Sequence, residues 1–210
     1  MPVDARGLVR KMRGGAQSHL LETSDGNCYV VKFSNNPQHR RILVNEWIAG
    51  HFLRHLGLAT PEAAMVRISA AFLEANPEVY LQLGRERRPP EAGWHFGSRY
   101  PGEPARTAVY DFLPDSLLHT VENVGEFSGV LAFDKWVSNA DSRQAIFFRA
   151  RLRNESSNPS QKSLAGRRPA PHPERTGFVA QMMDNGFAFD GPHWRFADSA
   201  IQGLYFRPLV

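Results

Sequence analysis

The sequence predicts an α+β fold of two lobes, in which a β-rich N-terminal lobe precedes a helical C-terminal lobe that is short or truncated. Three observations support this. Apolar runs flank a turn at 18–33, and an apolar repeat of helical spacing follows at 38–56. A connection rich in Pro, Gly and Arg at 84–106 then separates this part from a second group of apolar segments. We therefore expect an N-terminal lobe at 1–108 and a C-terminal lobe at 109–210.

The composition of the 210-residue chain excludes several protein classes. Cys28 is the single cysteine, so neither a disulfide nor a cysteine-based zinc site can form within the chain. There is no apolar run long enough to span a membrane, and residues 1–15 lack the apolar core of a signal peptide. Hydrophobic residues make up 42% of the chain, which is enough for a packed core. We expect a folded cytoplasmic protein with no membrane segment.

The first predicted element is a β-hairpin at 18–33. Asp25 and Gly26 lie between two apolar runs, a pattern typical of a tight two-residue turn. Lys32 interrupts the second strand between Val31 and Phe33, so its side chain must point either into a cleft or into water.

A long helix is predicted next, with Asn36 as its N-cap and Pro37 at its first position. Gly57 ends the pattern. Within 38–56 the apolar residues that recur at helical spacing are Ile42, Leu43, Trp47, Ile48, Phe52 and Leu56. Two further strands, at 63–69 and 78–83, are predicted to precede the connection at 84–106.

The second half of the chain predicts a buried helix at 123–137 and short strands at 145–148 and 178–183. The segment between these strands, 149–175, has no aromatic residue and contains four prolines. Such a composition cannot build a core, so we expect this segment to be disordered.

The basic segment 149–175 also explains the charge of the protein. It contains seven basic and two acidic residues, a net charge of +5, whereas the whole chain carries +4, so the remaining residues carry −1. The excess of positive charge is therefore confined to this segment, which argues against nucleic acid as a partner. An acidic partner for this segment is the expectation that its charge supports.

Five features stand in one order along the chain: a glycine-containing turn at 14–17, Lys32, Glu46, Asp141 and Asp184. Each has an ordinary structural explanation, such as a flexible turn, an edge-strand lysine or a solvent-facing helix glutamate. Together they match the requirements of phosphoryl transfer from ATP, which are a loop over the phosphates, a lysine with a glutamate partner, a base and a metal-binding carboxylate. The combination favours a phosphotransferase.

The same residues carry a resemblance to a known family. Residues 15–21 and 30–33 resemble the glycine-alanine-glutamine loop, hairpin and lysine strand of HipA-type kinases. Residues 133–141 and 183–186 resemble that family's catalytic and metal motifs, which phosphatidylinositol kinases share more loosely. The resemblance implies a protein-kinase-like fold with ATP and Mg²⁺ in the cleft between its lobes.

The resemblance also implies a role for each residue. Lys32 would contact the α- and β-phosphates with Glu46 as its partner, Asp141 would accept or orient the acceptor hydroxyl, and Asp184 would hold Mg²⁺. The backbone N–H groups of the loop would cover the phosphates, and the loop residues are Gly14, Gly15, Ala16 and Gln17.

One departure from the family pattern leaves two functions open. Ile146 stands where the family places an asparagine as a second metal ligand, and Gln144 or Asn139 are the candidates to supply an amide oxygen instead. If one of them does, the chain is a kinase whose acceptor is a protein Ser/Thr hydroxyl or a small molecule. If neither does, it is a weakly active or inactive pseudokinase that serves as a nucleotide-binding or interaction module.

Overall fold

The computed structural model describes residues 2–152, 175–196 and 203. The chain is a mixed α/β protein, rich in strands. In chain order its elements are β1 (Pro2–Lys11), β2 (His19–Thr23), β3 (Cys28–Lys32), α1 (Arg40–His55), β4 (Ala63–Ile68), α2 (Ala70–Ala75), β5 (Leu81–Leu83), β6 (Glu86–Arg88), β7 (Gly93–Arg99), β8 (Val109–Tyr110), a 3₁₀ helix (Asp115–Thr120), α3 (Glu126–Trp136), β9 (Gln144–Leu152) and β10 (Arg175–Met183).

A closed barrel forms the first part of the fold, with the strand order β1-β2-β3-β7-β4. Neighbouring strands are antiparallel except β1 and β4, whose parallel pairing closes the barrel. A cluster of buried apolar side chains belongs to these strands and the segments that pack on them; it comprises Val3, Leu21, Tyr29, Val31, Phe33, Ala64, Val66, Ile68, Phe72, Val79 and Leu81.

The hairpin predicted at 18–33 is confirmed, but the two-residue turn is wrong. Residues 24–27 lie between β2 and β3. The Asp25 carboxylate organises this longer loop, because it accepts hydrogen bonds from Thr23 Oγ1 at 2.6 Å and from the Asn27 backbone N–H at 3.1 Å. Strand β1 was not predicted, since most of its side chains are partly or fully exposed and it lacks an apolar run.

Helix α1 is confirmed, but its first residue is Arg40 rather than Pro37. His39 is the N-cap, and its ring accepts a hydrogen bond from the Arg41 N–H. Asn36 instead stabilises the preceding turn, because its side chain bonds the Phe33 carbonyl and the Gln38 N–H. The C-terminal end is as expected: Gly57 follows the helix with φ +73, a conformation that favours glycine.

The connection expected at 84–106 contains two strands, β6 and β7. Strand β7 lies between β3 and β4 in the barrel, and Gly97 allows its close approach, because a β-carbon there would come within 2.6 Å of Val66 Cγ2. The strand predicted at 63–69 is confirmed as β4. Within the strand predicted at 78–83, the structure has only β5, and β5 pairs with β6 outside the barrel.

The second half of the fold is a three-stranded sheet in the order β10-β9-β8, with α3 packed near it. Residues of α1, α3, β9 and β10 share a second apolar cluster; it comprises Ala49, Leu53, Leu58, Leu113, Val121, Val130, Phe133, Val137, Ala145, Phe147, Ala180, Met182 and Ala188. The expected helical character of this half is wrong for the described residues, which contain α3 and a 3₁₀ helix beside the sheet.

The segment expected to be disordered, 149–175, is partly β-strand. Strand β9 continues to Leu152 and β10 begins at Arg175, with these two residues paired. Residues 153–174 of that segment lie outside the described residues. The helices that the structure describes include none that is long and apolar enough to cross a membrane.

Candidate active site

Lys32 is the last residue of β3, and its ammonium is buried between two carboxylates. Its Nζ contacts Glu46 Oε1 on α1, and it donates a hydrogen bond of 2.8 Å to Asp184 Oδ1. Only 8% of the Lys32 side chain is exposed and 3% of that of Glu46. The lysine therefore points into the fold, and the glutamate is not a solvent-facing helix residue.

Burial and the neighbouring charges shift the pKa values of these three groups in opposite directions. Burial alone would lower the pKa of Lys32, but the carboxylates of Glu46 and Asp184 outweigh it and hold that pKa above its ordinary value. Burial raises the pKa of Glu46 despite the pull of Lys32. Burial would also raise the pKa of Asp184, but the charge and hydrogen bond of Lys32 hold it below its ordinary value. The raised pKa keeps the Lys32 ammonium charged.

The residues after β10 form a loop that α1 holds in place. Glu46 Oε2 accepts a hydrogen bond of 3.0 Å from the Asn185 N–H, so one glutamate supports both the lysine and this loop. Asp184 has φ +57, in the left-handed region that few non-glycine residues adopt. Such a conformation persists where its surroundings hold it, and this one presents the carboxylate to Lys32.

The loop 138–143, between α3 and β9, carries Asp141. Asn139 Oδ1 accepts a hydrogen bond of 3.3 Å from the Asp141 N–H, and Asp141 Oδ1 accepts one of 2.7 Å from the Ser142 N–H. Asn139 is 1% exposed and donates its amide to Asp134 Oδ1 at 3.0 Å. Asn139 thus supports the loop and is not placed to face a metal ion.

The glycine-containing loop follows β1 and is tied down at its C-terminal end. Gln17 Nε2 donates to the Gln82 carbonyl at 2.8 Å, and the Gln82 N–H donates to Gln17 Oε1 at 2.6 Å. The Gln17 N–H is itself engaged with the Gly14 carbonyl at 3.1 Å. Gln17 therefore anchors the loop to β5, and its N–H is not free to bind a phosphate as expected.

These groups surround one cleft of about 570 Å³. Its lining includes Gly14, Gly15 and Ala16 of the loop together with Lys32. Asp111, which follows β8, also lines the cleft, and no sequence motif singles it out. The remaining polar residues that reach it include Arg10, Lys11, Arg13, Ser18, Gln38, Asp141, Gln144 and Asp184.

A comparison with protein families agrees with this geometry. A family model described as HipA-like kinase matches residues 7–147, which is more than half of the chain. The chain belongs to the HipA-like kinase family. No curated protein and no solved structure gives a significant match to it.

Membership in the HipA-like kinases indicates a kinase activity in general terms, and the match spans the glycine loop, Lys32, Glu46 and Asp141. It ends before β10, so it does not include Asp184. Asp184 nevertheless contacts Lys32 within the matched region of this HipA-like kinase, and β10 pairs with β9 at the end of that region.

A buried arginine, which the sequence did not single out, holds the two loops of this HipA-like kinase together. Arg143 contacts both carboxylate oxygens of Asp134 on α3, and it also contacts Asn185 Oδ1. The side chains of Arg143 and Asp134 are 0% exposed. Buried charges are tolerated only when paired in this way, so the network fixes the loop 138–143 against the residue that follows Asp184.

The donor set of the cleft suits magnesium. Asp184, Asp141 and Gln144 all line it and offer carboxylate or amide oxygens, the ligands that Mg²⁺ takes when it is held by a few protein groups together with phosphates. Ile146 is 7% exposed in β9 and offers no ligand atom. Among residues 2–152, 175–196 and 203, no group of three or more His, Cys, Asp or Glu side chains is arranged to hold a metal ion.

Proposed function

We propose that the protein is a phosphotransferase that uses ATP and Mg²⁺ in a cleft between two lobes, residues 1–108 and 109–210. The observation that carries the proposal is the buried Lys32 between Glu46 and Asp184, at a cleft whose lining includes the glycine loop. An ammonium buried in this way is costly unless it has anionic partners, and a nucleotide phosphate is an alternative anionic partner to Asp184.

Each group has a task in this reaction. The backbone N–H groups of the loop at 14–16 bind the phosphates, and Lys32, oriented by Glu46, neutralises their charge. Asp184 and Gln144 would hold the magnesium ion, which supplies further neutralisation of the phosphate oxygens when bound. These groups act through position and charge, because phosphoryl transfer requires little covalent chemistry from the protein.

Asp141 is the proposed base. It takes the proton of the acceptor hydroxyl, the acceptor oxygen forms a bond to the γ-phosphorus, and the bond from that phosphorus to the β-phosphate oxygen breaks, which releases ADP. The acceptor class that the family resemblance favours is a protein Ser/Thr hydroxyl, with a small-molecule hydroxyl as the alternative.

Transfer of the γ-phosphoryl group tests the proposal. ATP hydrolysis and autophosphorylation are measured for the wild-type protein and for Lys32→Ala, Asp141→Asn and Asp184→Asn. Val44→Ala is the control, because Val44 is an exposed residue of α1 that does not line the cleft. We expect magnesium-dependent turnover in the wild type and control and its loss in the other three. Equal background signal in all five proteins would contradict a catalytic function.

A second candidate, a pseudokinase that binds nucleotide without turnover, is favoured by one observation. Ile146 is buried and aliphatic at the position that the family resemblance assigns to the second metal ligand. Thermal denaturation distinguishes the two functions: stabilisation by ATP and magnesium without turnover would support the pseudokinase. Turnover that is lost in Gln144→Ala would support the kinase.

A further inference from the structure

Asn45 is a fully buried polar residue of α1, adjacent to Glu46, and it contacts the loop that follows Asp184. Its exposure is 0%. Its Nδ2 lies 2.8 Å from the Gly186 carbonyl, 2.9 Å from that of Ala188 and 3.0 Å from that of Gly191. The two hydrogens of this NH₂ group are shared among three carbonyls of one loop, and the Ala188 carbonyl also accepts a hydrogen bond of 3.2 Å from the Gly191 N–H.

The other end of the Asn45 amide is also engaged. Trp194 Nε1 donates a hydrogen bond of 2.9 Å to Asn45 Oδ1. Because an indole N–H can only donate, this bond requires the oxygen of Asn45 to face Trp194 and the NH₂ group to face the three carbonyls. The orientation of the amide is therefore determined by its partners.

Trp194 is held on α1 by a second residue. The Arg41 guanidinium lies 4.8 Å from the centre of the indole ring, and Arg41 Nη1 donates a hydrogen bond of 2.8 Å to the Pro192 carbonyl. The segment from Asp184 to Trp194 is thus attached to one helix at both ends. Its start bonds Glu46, and its end bonds Arg41 and Asn45.

From this geometry we propose that Asn45 is a positioning residue for Asp184, one that sets the magnesium-dependent part of nucleotide affinity. The inference rests on the proposed function. Asn45 does not line the cleft, and it acts through the backbone of Gly186, two residues from Asp184. Without this bond, the hydrogen bond from the Asn185 N–H to Glu46 would remain between α1 and the first residues of the loop, and the left-handed conformation of Asp184 would be less restrained.

The test compares nucleotide affinity with and without the metal. The dissociation constant of ADP is measured in excess Mg²⁺ and in EDTA for the wild type, Asn45→Ala and Trp194→Phe. Val44→Ala is the control, since Val44 is the neighbouring residue of α1 and is 40% exposed. Melting temperatures are recorded for all four proteins.

For Asn45→Ala we expect the ratio of the dissociation constant in EDTA to that in Mg²⁺ to fall by roughly 10- to 100-fold. This is the usual effect of removing a group that orients a metal ligand. The affinity in EDTA should stay within a few-fold of the wild type. Trp194→Phe keeps the ring and removes one hydrogen bond, so we expect a smaller loss of the same ratio, roughly two- to fivefold. Because 42% of Trp194 is exposed, this variant tests the inference even if Asn45→Ala does not fold.

Two results would overturn the inference while leaving the proposed function intact. One is an unchanged ratio in both variants. The other is an equal loss of affinity with and without Mg²⁺, which would indicate a purely structural role. Absence of magnesium-dependent ADP binding in the wild-type protein would instead overturn the proposed function and this inference together.

Discussion

Gly186 lies against Ile42 of α1 so closely that a β-carbon at residue 186 would come within 2.3 Å of Ile42 Cγ2. The same β-carbon would lie 3.4 Å from Glu46 Oε1. Ile42 is 1% exposed, so this contact is buried. The absence of a side chain at 186 therefore lets the loop of Asp184 reach the helix that carries Glu46.

Gly186→Ala should lower the free energy of unfolding by about 1–3 kcal/mol, because the added methyl group overpacks a buried contact. Urea unfolding measures the change. In an Ile42→Ala background, which removes Cγ2, the same substitution should cost less, so the double-mutant cycle should show a coupling energy. Additive costs would contradict direct contact between these two positions.

Arg143→Met should lower the free energy of unfolding by about 3–5 kcal/mol, because it removes the guanidinium that binds both oxygens of the buried Asp134 carboxylate. The double variant Asp134→Asn, Arg143→Met removes both charges and should cost less than the sum of the single variants. Chemical denaturation of the four proteins checks this. A loss below about 1 kcal/mol, the range of an exposed ion pair, would argue against burial of the pair.

Lys32→Met should destabilise the protein more at pH 8 than at pH 5. Without the ammonium, burial raises the pKa of both Glu46 and Asp184 in the folded chain. Carboxyl groups with raised folded-state pKa values add stability at low pH, and that stability is lost as the pH rises through those values.

The measurement for Lys32→Met is its unfolding free energy relative to wild type at pH 5 and pH 8. Lys11→Met is the control, because Lys11 is exposed and has no carboxylate partner among the ion pairs of the described residues. A deficit that is the same at both pH values would contradict the prediction.

His19 should make stability depend on pH on the acid side of neutrality. Its ring is buried in β2, and burial lowers the pKa of His19 to about 4. The unfolded chain takes up a proton near pH 6.5, whereas the folded chain does not, so stability present above that pH is lost as the pH falls toward 4. The urea midpoint should therefore decline less over this range in His19→Gln than in the wild type. Parallel declines would contradict the prediction.

Local sequence patterns predicted the elements that depend on near neighbours. The hairpin at 18–33, helix α1 and its end at Gly57 follow from turn residues and apolar spacing within a few positions. The chain order of the glycine loop, Lys32, Glu46, Asp141 and Asp184 was also sufficient to suggest phosphotransfer, because that chemistry needs particular residue types on particular elements.

Strand β7 shows why other parts of the fold could not be predicted. Its sequence contains two glycines and lies in a segment rich in Pro and Arg, which is typical of a loop. It is a strand because β3 and β4 pair with it from both sides. The burial of Asn45 and Arg143 could not be predicted either, because polar side chains on a helix or in a loop usually face water.

The sequence alone determined which chemical groups this HipA-like kinase has and the order in which they occur. The tertiary structure decided which of them meet. Asn45 bonds a carbonyl 141 residues away, and Lys32 bonds a carboxylate 152 residues away. In the folded chain the Gln17 side chain bonds Gln82, and the Asn139 side chain bonds the Asp141 N–H. Contacts at such separations depend on how strands and helices pack, and local preferences of the chain carry no information about them.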